Sequence, residues 1–82
     1  MILVEIYVAC VDKSYDFRLE KTAIVEDIIE EIITVVSQKE EIDLNINKEE
    51  LTLSIVSKET IMNGALTLAD YNVKQGMKLI LV

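Results

Sequence analysis

Histidine is absent from this chain, cysteine occurs once, glycine twice, and no apolar run is long. Each shortage removes a kind of chemistry. Without histidine there is no common neutral-pH acid or base, and no imidazole nitrogen to hold a metal. Cys10 has no partner for a disulfide, and with no signal peptide the chain reads as cytoplasmic. Flanked by Ala9 and Val11 in an apparent strand, Cys10 reads as a buried or half-buried structural cysteine rather than a reactive thiol. Gly64 and Gly76 are too isolated to build a phosphate-cradling loop. The longest apolar stretch, Met77 to Val82 with Lys78 inside it, falls far short of the roughly 20 residues that span a bilayer. Basic residues are scarce as well, eight against fifteen acidic, for a formal charge of -7. That field opposes nucleic-acid backbones and anionic lipid, and leaves proteins with basic surfaces as possible partners.

What remains is apolar and ordered. The chain has 82 residues, of which 51% are hydrophobic, enough to offset ordering entropy in one small domain spanning 1–82. A chain of this size buries roughly 60% of its unfolded surface, which allows a single modest core. In Met1 to Val11, Val4, Ile6 and Val8 alternate with Glu5 and Tyr7, the period of a half-buried strand. After the turn-compatible Asp12, Lys13 and Ser14, a second strand sets Tyr15, Phe17 and Leu19 against Asp16 and Arg18, and an antiparallel hairpin is the simplest pairing.

The period then changes to that of a helix. Val25, Ile28, Ile29, Ile32, Ile33 and Val36 recur at three-and-four spacing, with Glu26, Asp27, Glu30 and Glu31 between them. Thr22 is a candidate N-cap, and a start two residues later is the alternative. Because Ile and Val favour strands, this helix needs tertiary packing to form. Its apolar arc, about 180° wide, exceeds what a small sheet covers. The edges must meet the loop carrying Ile42, Leu44 and Ile46, or a partner. Ile29 and Ile33 lie on one such edge and form a possible helix-edge interface.

Leu51, Leu53 and Ile55 restore a strand, with Val56 on its opposite face. A short segment at Ile61 and Met62 precedes the turn pair Asn63-Gly64, and Thr67 and Asp70 have capping-box spacing ahead of a helical turn at Tyr71. Gly76 leads into a last strand with Met77, Leu79 and Leu81 on one face and Lys78, Ile80 and Val82 on the other. This order predicts an α+β fold with one helix across a mixed sheet of four to five strands. The first and last strands become parallel neighbours, which would make the last strand central.

No catalytic arrangement emerges, and no cofactor or metal is expected. Glu26 with Glu30, and Asp27 with Glu31, lie one helical turn apart and could hold a hard cation weakly, but nothing follows a calcium-loop pattern.

The whole chain resembles a ubiquitin-like beta-grasp domain. The local match is Leu68-Ala69-Asp70-Tyr71-Asn72-Val73, the short turn ahead of the final strand, together with Val25, Ile28 and Ile32 as the inward residues of the single helix. The resemblance implies that Tyr71 packs under the connecting loop and hydrogen-bonds its backbone. Within that superfamily the chain is most similar to the bacterial YukD/EsaB-like proteins, through Tyr15-Asp16-Phe17-Arg18-Leu19 and Gly76-Met77-Lys78-Leu79. That similarity implies a non-enzymatic cytosolic adaptor or regulator, an accessory component of a type VII, or WXG100, secretion system. The resemblance to ubiquitin itself implies a protein-binding patch on the outer sheet face, formed by Val56, Ile80, Val82 and Lys78 and extended by Tyr7. A homodimer that uses the broad helix face is a second reading. An atypical sulfur carrier or protein modifier is a third, disfavoured because the sequence ends on Leu79-Ile80-Leu81-Val82 without a Gly-Gly tail.

Overall fold

The computed structural model describes residues 1–44 and 47–82, Lys48 by its backbone. Among the described residues, five strands and one helix follow one another as β1 (Ile2–Val8), β2 (Lys13–Leu19), α1 (Val25–Glu40), β3 (Leu53–Ile55), β4 (Thr60–Ile61) and β5 (Lys78–Leu81). Single 3-10 turns stand at Ala9–Val11, Lys48–Glu50 and Ala69–Tyr71. The sheet order is β2-β1-β5-β3-β4, so the expected central position of the last strand holds. β1 runs parallel to β5, pairing Ile6 with Leu79 and Tyr7 with Ile80, while the other neighbours are antiparallel. Helix α1 provides the long crossover that a parallel pair requires.

Alternation decides what each strand buries. Ile2, Val4, Ile6 and Val8 of β1, Phe17 and Leu19 of β2, Leu53 and Ile55 of β3, and Leu79 and Leu81 of β5 all face the core. Val25, Ile28, Ile29, Ile32 and Val36 of α1 meet them. This packing makes a helix of a segment whose β-branched residues lean toward strand. Met62, Leu68 and Val73 close the core from the connections.

The helix start settles the choice left by the sequence. Ile24, not Thr22, is the N-cap, and no side chain caps it. The Val25 N–H donates to the carbonyl of Leu66 at 2.8 Å and the Glu26 N–H to that of Gly64 at 3.0 Å. Two of the unpaired donors at the helix start are thereby satisfied by backbone. The sequence signal for an N-cap is a side chain, so this arrangement has none to offer.

The connection ahead of β5 behaves as the resemblance implied. The Asn63 N–H donates to the Tyr71 phenolic oxygen at 2.7 Å. Thr67 and Asp70 form a reciprocal box: the Thr67 N–H donates to Asp70 Oδ2 at 2.9 Å, and the Asp70 N–H to Thr67 Oγ1 at 3.2 Å. Gly76 takes φ +84°, a left-handed conformation suited to glycine, and its N–H donates to the Leu3 carbonyl at 2.8 Å.

Two expectations need correction. β1 stops at Val8, and Cys10 is exposed on the 3-10 turn instead of lying buried or half-buried in a strand. The turn ends at Asp12, whose φ of 53° redirects the chain into β2. Leu51 lies outside β3, which is only three residues long, yet it packs half-buried against the core, as Leu44 does. Of the other loop residues expected to cover the helix, Ile42 is exposed and Ile46 lies outside the described residues.

Candidate functional site

The face of the sheet turned away from α1 is the surface to which the sequence pointed. Strand register builds it row by row, because directly paired residues share a face. One row runs Ser14, Tyr7, Ile80, Ser54, Ile61 across all five strands. The neighbouring row contains Asp16, Glu5 and Lys78, after which the Val56 N–H donates to the Lys78 carbonyl at 3.2 Å. Between these rows lies an open depression of about 270 Å³, lined chiefly by Glu5, Tyr7, Ser14, Val56, Lys78 and Ile80. Four of the five residues expected in a patch, Tyr7, Val56, Lys78 and Ile80, therefore meet around one hollow.

Val82 shares the face but not the hollow. It follows β5 by one residue and is tied to Thr52 by two backbone hydrogen bonds, of 2.7 and 3.0 Å, with its side chain 52% exposed. Val56 is 44% exposed, and Ile80 and Tyr7 are half-buried. Ile61 is 68% exposed at the end of the same row, an apolar member of this face that sequence reasoning did not assign. The Ile61-Met62 pair carried a signal, since in an extended segment one of two adjacent apolar residues turns outward. A two-residue strand was too short for periodicity to show which one.

Charge on this face is balanced locally. Lys78 Nζ lies 3.8 Å from Glu5 Oε2, and both side chains are well exposed. The Tyr7 hydroxyl donates to Asp12, and that hydrogen bond, followed by burial and the Asp12 charge, raises the phenol above its ordinary pKa of 10.0. Tyr7 is thus neutral and held in place through the physiological range. At the start of β2, Lys13 pairs with Glu40 at the end of α1, which raises the lysine above its ordinary 10.5. Beside it the Tyr15 ring meets Phe17 edge-on at 6.3 Å and carries Lys39 Nζ at 5.7 Å from its centroid. The Tyr15 hydroxyl is shielded from water without a hydrogen-bond partner among the described residues, and burial raises its pKa.

The helix edge is not such a surface. Ile29 is 4% exposed and belongs to the core, while Ile33 is half-buried and packs against it. With Val25, Ile28, Ile32 and Val36 also buried, α1 leaves no wide apolar face for a second copy. The 180° arc was real, and the connections around Met62, Leu68, Leu44 and Leu51 cover more of it than the sheet alone could. Among the described residues, no group of three or more His, Cys, Asp or Glu side chains is placed to hold a metal ion. None of the described helices is long and apolar enough to cross a membrane. What the outer face offers is an apolar floor, a fixed phenol and a paired charge, the elements of reversible protein recognition.

Comparison with known proteins agrees with this architecture. The family model described as "WXG100 protein secretion system (Wss), protein YukD" matches residues 3–81. A solution NMR structure of the ubiquitin-like domain of an Arabidopsis thaliana protein superposes with a TM-score of 0.75 at 13% identity, covering 99% of this chain and 74% of that one. At that identity the likeness shows the fold, which is ubiquitin-like. No curated protein matches the chain.

Proposed function

The chain belongs to the YukD family, and from that premise we propose that it works as a non-enzymatic cytosolic adaptor or regulator, an accessory component of a WXG100 (type VII) secretion system. Its mechanism is reversible recognition of a protein partner through the outer sheet face, with no covalent step. The observation that carries this reading is the meeting of Tyr7, Val56, Lys78 and Ile80 around one open depression. A partner side chain seated there would gain apolar contact from Val56 and Ile80 and ring contact from Tyr7. The Glu5–Lys78 pair would remain satisfied at the rim, where it costs little to retain.

Deleting the gene and complementing it with wild type or Val56→Asp tests this proposal. The deletion should lower export of WXG100 substrates, wild type should restore it, and Val56→Asp should not. Val56 is exposed, so the variant should unfold within about 0.5 kcal/mol of wild type. Unchanged export after deletion overturns the secretion role. Full complementation by a folded Val56→Asp protein overturns the sheet face as its working surface.

A further inference from the structure

The two outer strands end the sheet differently. β4 closes one side with two residues, a length that offers little to a further strand. β2 closes the other with seven, Lys13–Leu19. Which of its backbone groups are free follows from β1. The Gly76 N–H donates to the Leu3 carbonyl and the Glu5 N–H to that of Met77, so Leu3, Glu5 and Tyr7 turn their peptide groups toward β5. Val4 and Ile6 therefore bond to Phe17 and Tyr15, and by alternation Ser14, Asp16 and Arg18 point their N–H and C=O groups away from the sheet. All three residues are exposed, and among the described residues no backbone hydrogen bond outside the β1–β2 ladder reaches Lys13–Leu19.

Side chains along this edge decide what can be added to it. Register sets Asp16 directly opposite Glu5, a like-charged pair that disfavours the row. Glu5 is compensated by Lys78, 3.8 Å away, whereas no ion pair engages Asp16 or Arg18 among the described residues. A second, antiparallel copy of β2 can bond this edge only in registers that set outward-pointing residues opposite one another. Centred on Asp16, such a pair opposes two carboxylates; centred on Arg18, two guanidinium groups; centred on Tyr15, Asp16 meets only Ser14. Centred on Phe17, it sets Asp16 against the second copy's Arg18 and Arg18 against its Asp16. The row across the seam then reads Lys78, Glu5, Asp16 and the second copy's Arg18, which gives each carboxylate a cation beside it. On the α1 side, Phe17 meets its own equivalent and Tyr15 opposes Leu19, so the apolar side of the strand continues into the second copy.

We propose that the free edge of β2 binds a second copy of this chain, antiparallel about a two-fold axis at Phe17, to make one continuous sheet with both helices on the same side. The pairing uses about four backbone hydrogen bonds, two for each Asp16–Arg18 match. The hollow around Tyr7, Val56, Lys78 and Ile80 remains open beside the seam, and the pairing does not depend on the secretion role. Two chains of formal charge -7 repel at long range. Salt at about 0.15 M screens that term beyond roughly 8 Å, while the matched charges at the seam lie within that distance.

Sedimentation equilibrium of the full chain at up to about 1 mM, in about 0.15 M salt, tests this pairing. A monomer–dimer equilibrium in the high micromolar range is expected, as for a small transient interface, with concentration-dependent amide shifts centred on Ser14, Asp16 and Arg18. Asp16→Arg alone and Arg18→Asp alone oppose like charges, and each should weaken self-association about tenfold, on the scale of two exposed ion pairs. Mixed together, the two variants should associate at least as well as wild type, since every match at the seam is then opposite in sign. Both substitutions alter exposed side chains, and unchanged amide shifts away from β2 verify the fold. Wild type that stays monomeric throughout that range overturns a second copy as the occupant, as do concentration-dependent shifts centred on α1 or on Val56 and Ile80. Single variants that associate as tightly as wild type, or a mixture that associates no more tightly than its components, overturn the proposal as well.

Discussion

The outer sheet face and the solvent face of α1 handle charge in opposite ways. On the sheet, Glu5 faces Lys78, Asp16 is followed two residues later by Arg18, and apolar Val56, Ile61 and Val82 stand between or beside them. On the helix, Asp27 and Glu31 are exposed one turn apart with the same sign, and the only basic residue of α1 is Lys39 in its last turn. A partner can cover the Glu5–Lys78 pair on the first face without leaving either charge unpaired. The second admits only a partner that brings positive charge, since an uncompensated buried carboxylate is expensive. Net charge alone hides this division, because a value of -7 describes neither face.

The sharpest way to break the comparison is to ask whether the sheet's two sides differ as their register says. Leu79 is buried and its neighbour Ile80 is half-exposed on the other face. Leu79→Ala should cost about 2–5 kcal/mol in urea unfolding, as buried leucines do, and Ile80→Ala clearly less. Equal losses would mean that the outer face is as tightly packed as the core. A smaller effect addresses the helix. Glu31→Lys replaces like-charge repulsion with an attractive pair to Asp27, one turn away, and should stabilise the domain by roughly 0.5 kcal/mol. Added salt should then raise the Tm of wild type more than that of the variant. Equal responses to salt would show that the helix face carries no electrostatic strain.

The smallest effect lies at alkaline pH and is qualitative. Tyr7, Lys13 and Tyr15 all hold their protons more tightly in the folded state, through Asp12, through Glu40 and through burial respectively. A raised folded pKa gives stability that is complete below the unfolded value and is lost as pH rises through the folded one. Tm should therefore decline from about pH 10 upward, and Tyr7→Phe should make that decline shallower. An identical decline in the variant would show that the Tyr7–Asp12 contact adds nothing.

Long, strongly periodic segments were legible from sequence, as β1, β2, α1 and β5 show. Each spends its apolar residues on one face, and the parallel pairing of the outermost segments followed from the length of the crossover. The Thr67–Asp70 box was legible from its spacing, and the role of Tyr71 from the ubiquitin-like resemblance. Features set by distant backbone were not. The carbonyls of Gly64 and Leu66 that start the helix leave no trace in residue type. Cys10 changed from buried to exposed because a 3-10 turn ended the alternation two residues before it. Whether the helix-edge residue Ile29 is covered was open from sequence, and it is buried. Within the site, register gathered Tyr7, Val56, Lys78 and Ile80, while Ile61 escaped notice because β4 is too short to show a period.

The parallel pairing of β1 with β5 also has a consequence for the order of events during synthesis. β5 is the middle strand, and it joins residues from opposite ends of the sequence, as when the Gly76 N–H meets the Leu3 carbonyl. A ribosome delivering this chain exposes the β1–β2 hairpin and the apolar side of α1 well before the strand that completes their shelter. Local hairpin and helix contacts can form early, but closure waits on the most distant pairing in the molecule, the kind that folds slowly. For that interval the nascent chain displays Val4, Ile6 and Val8 beside an unpaired edge of β1.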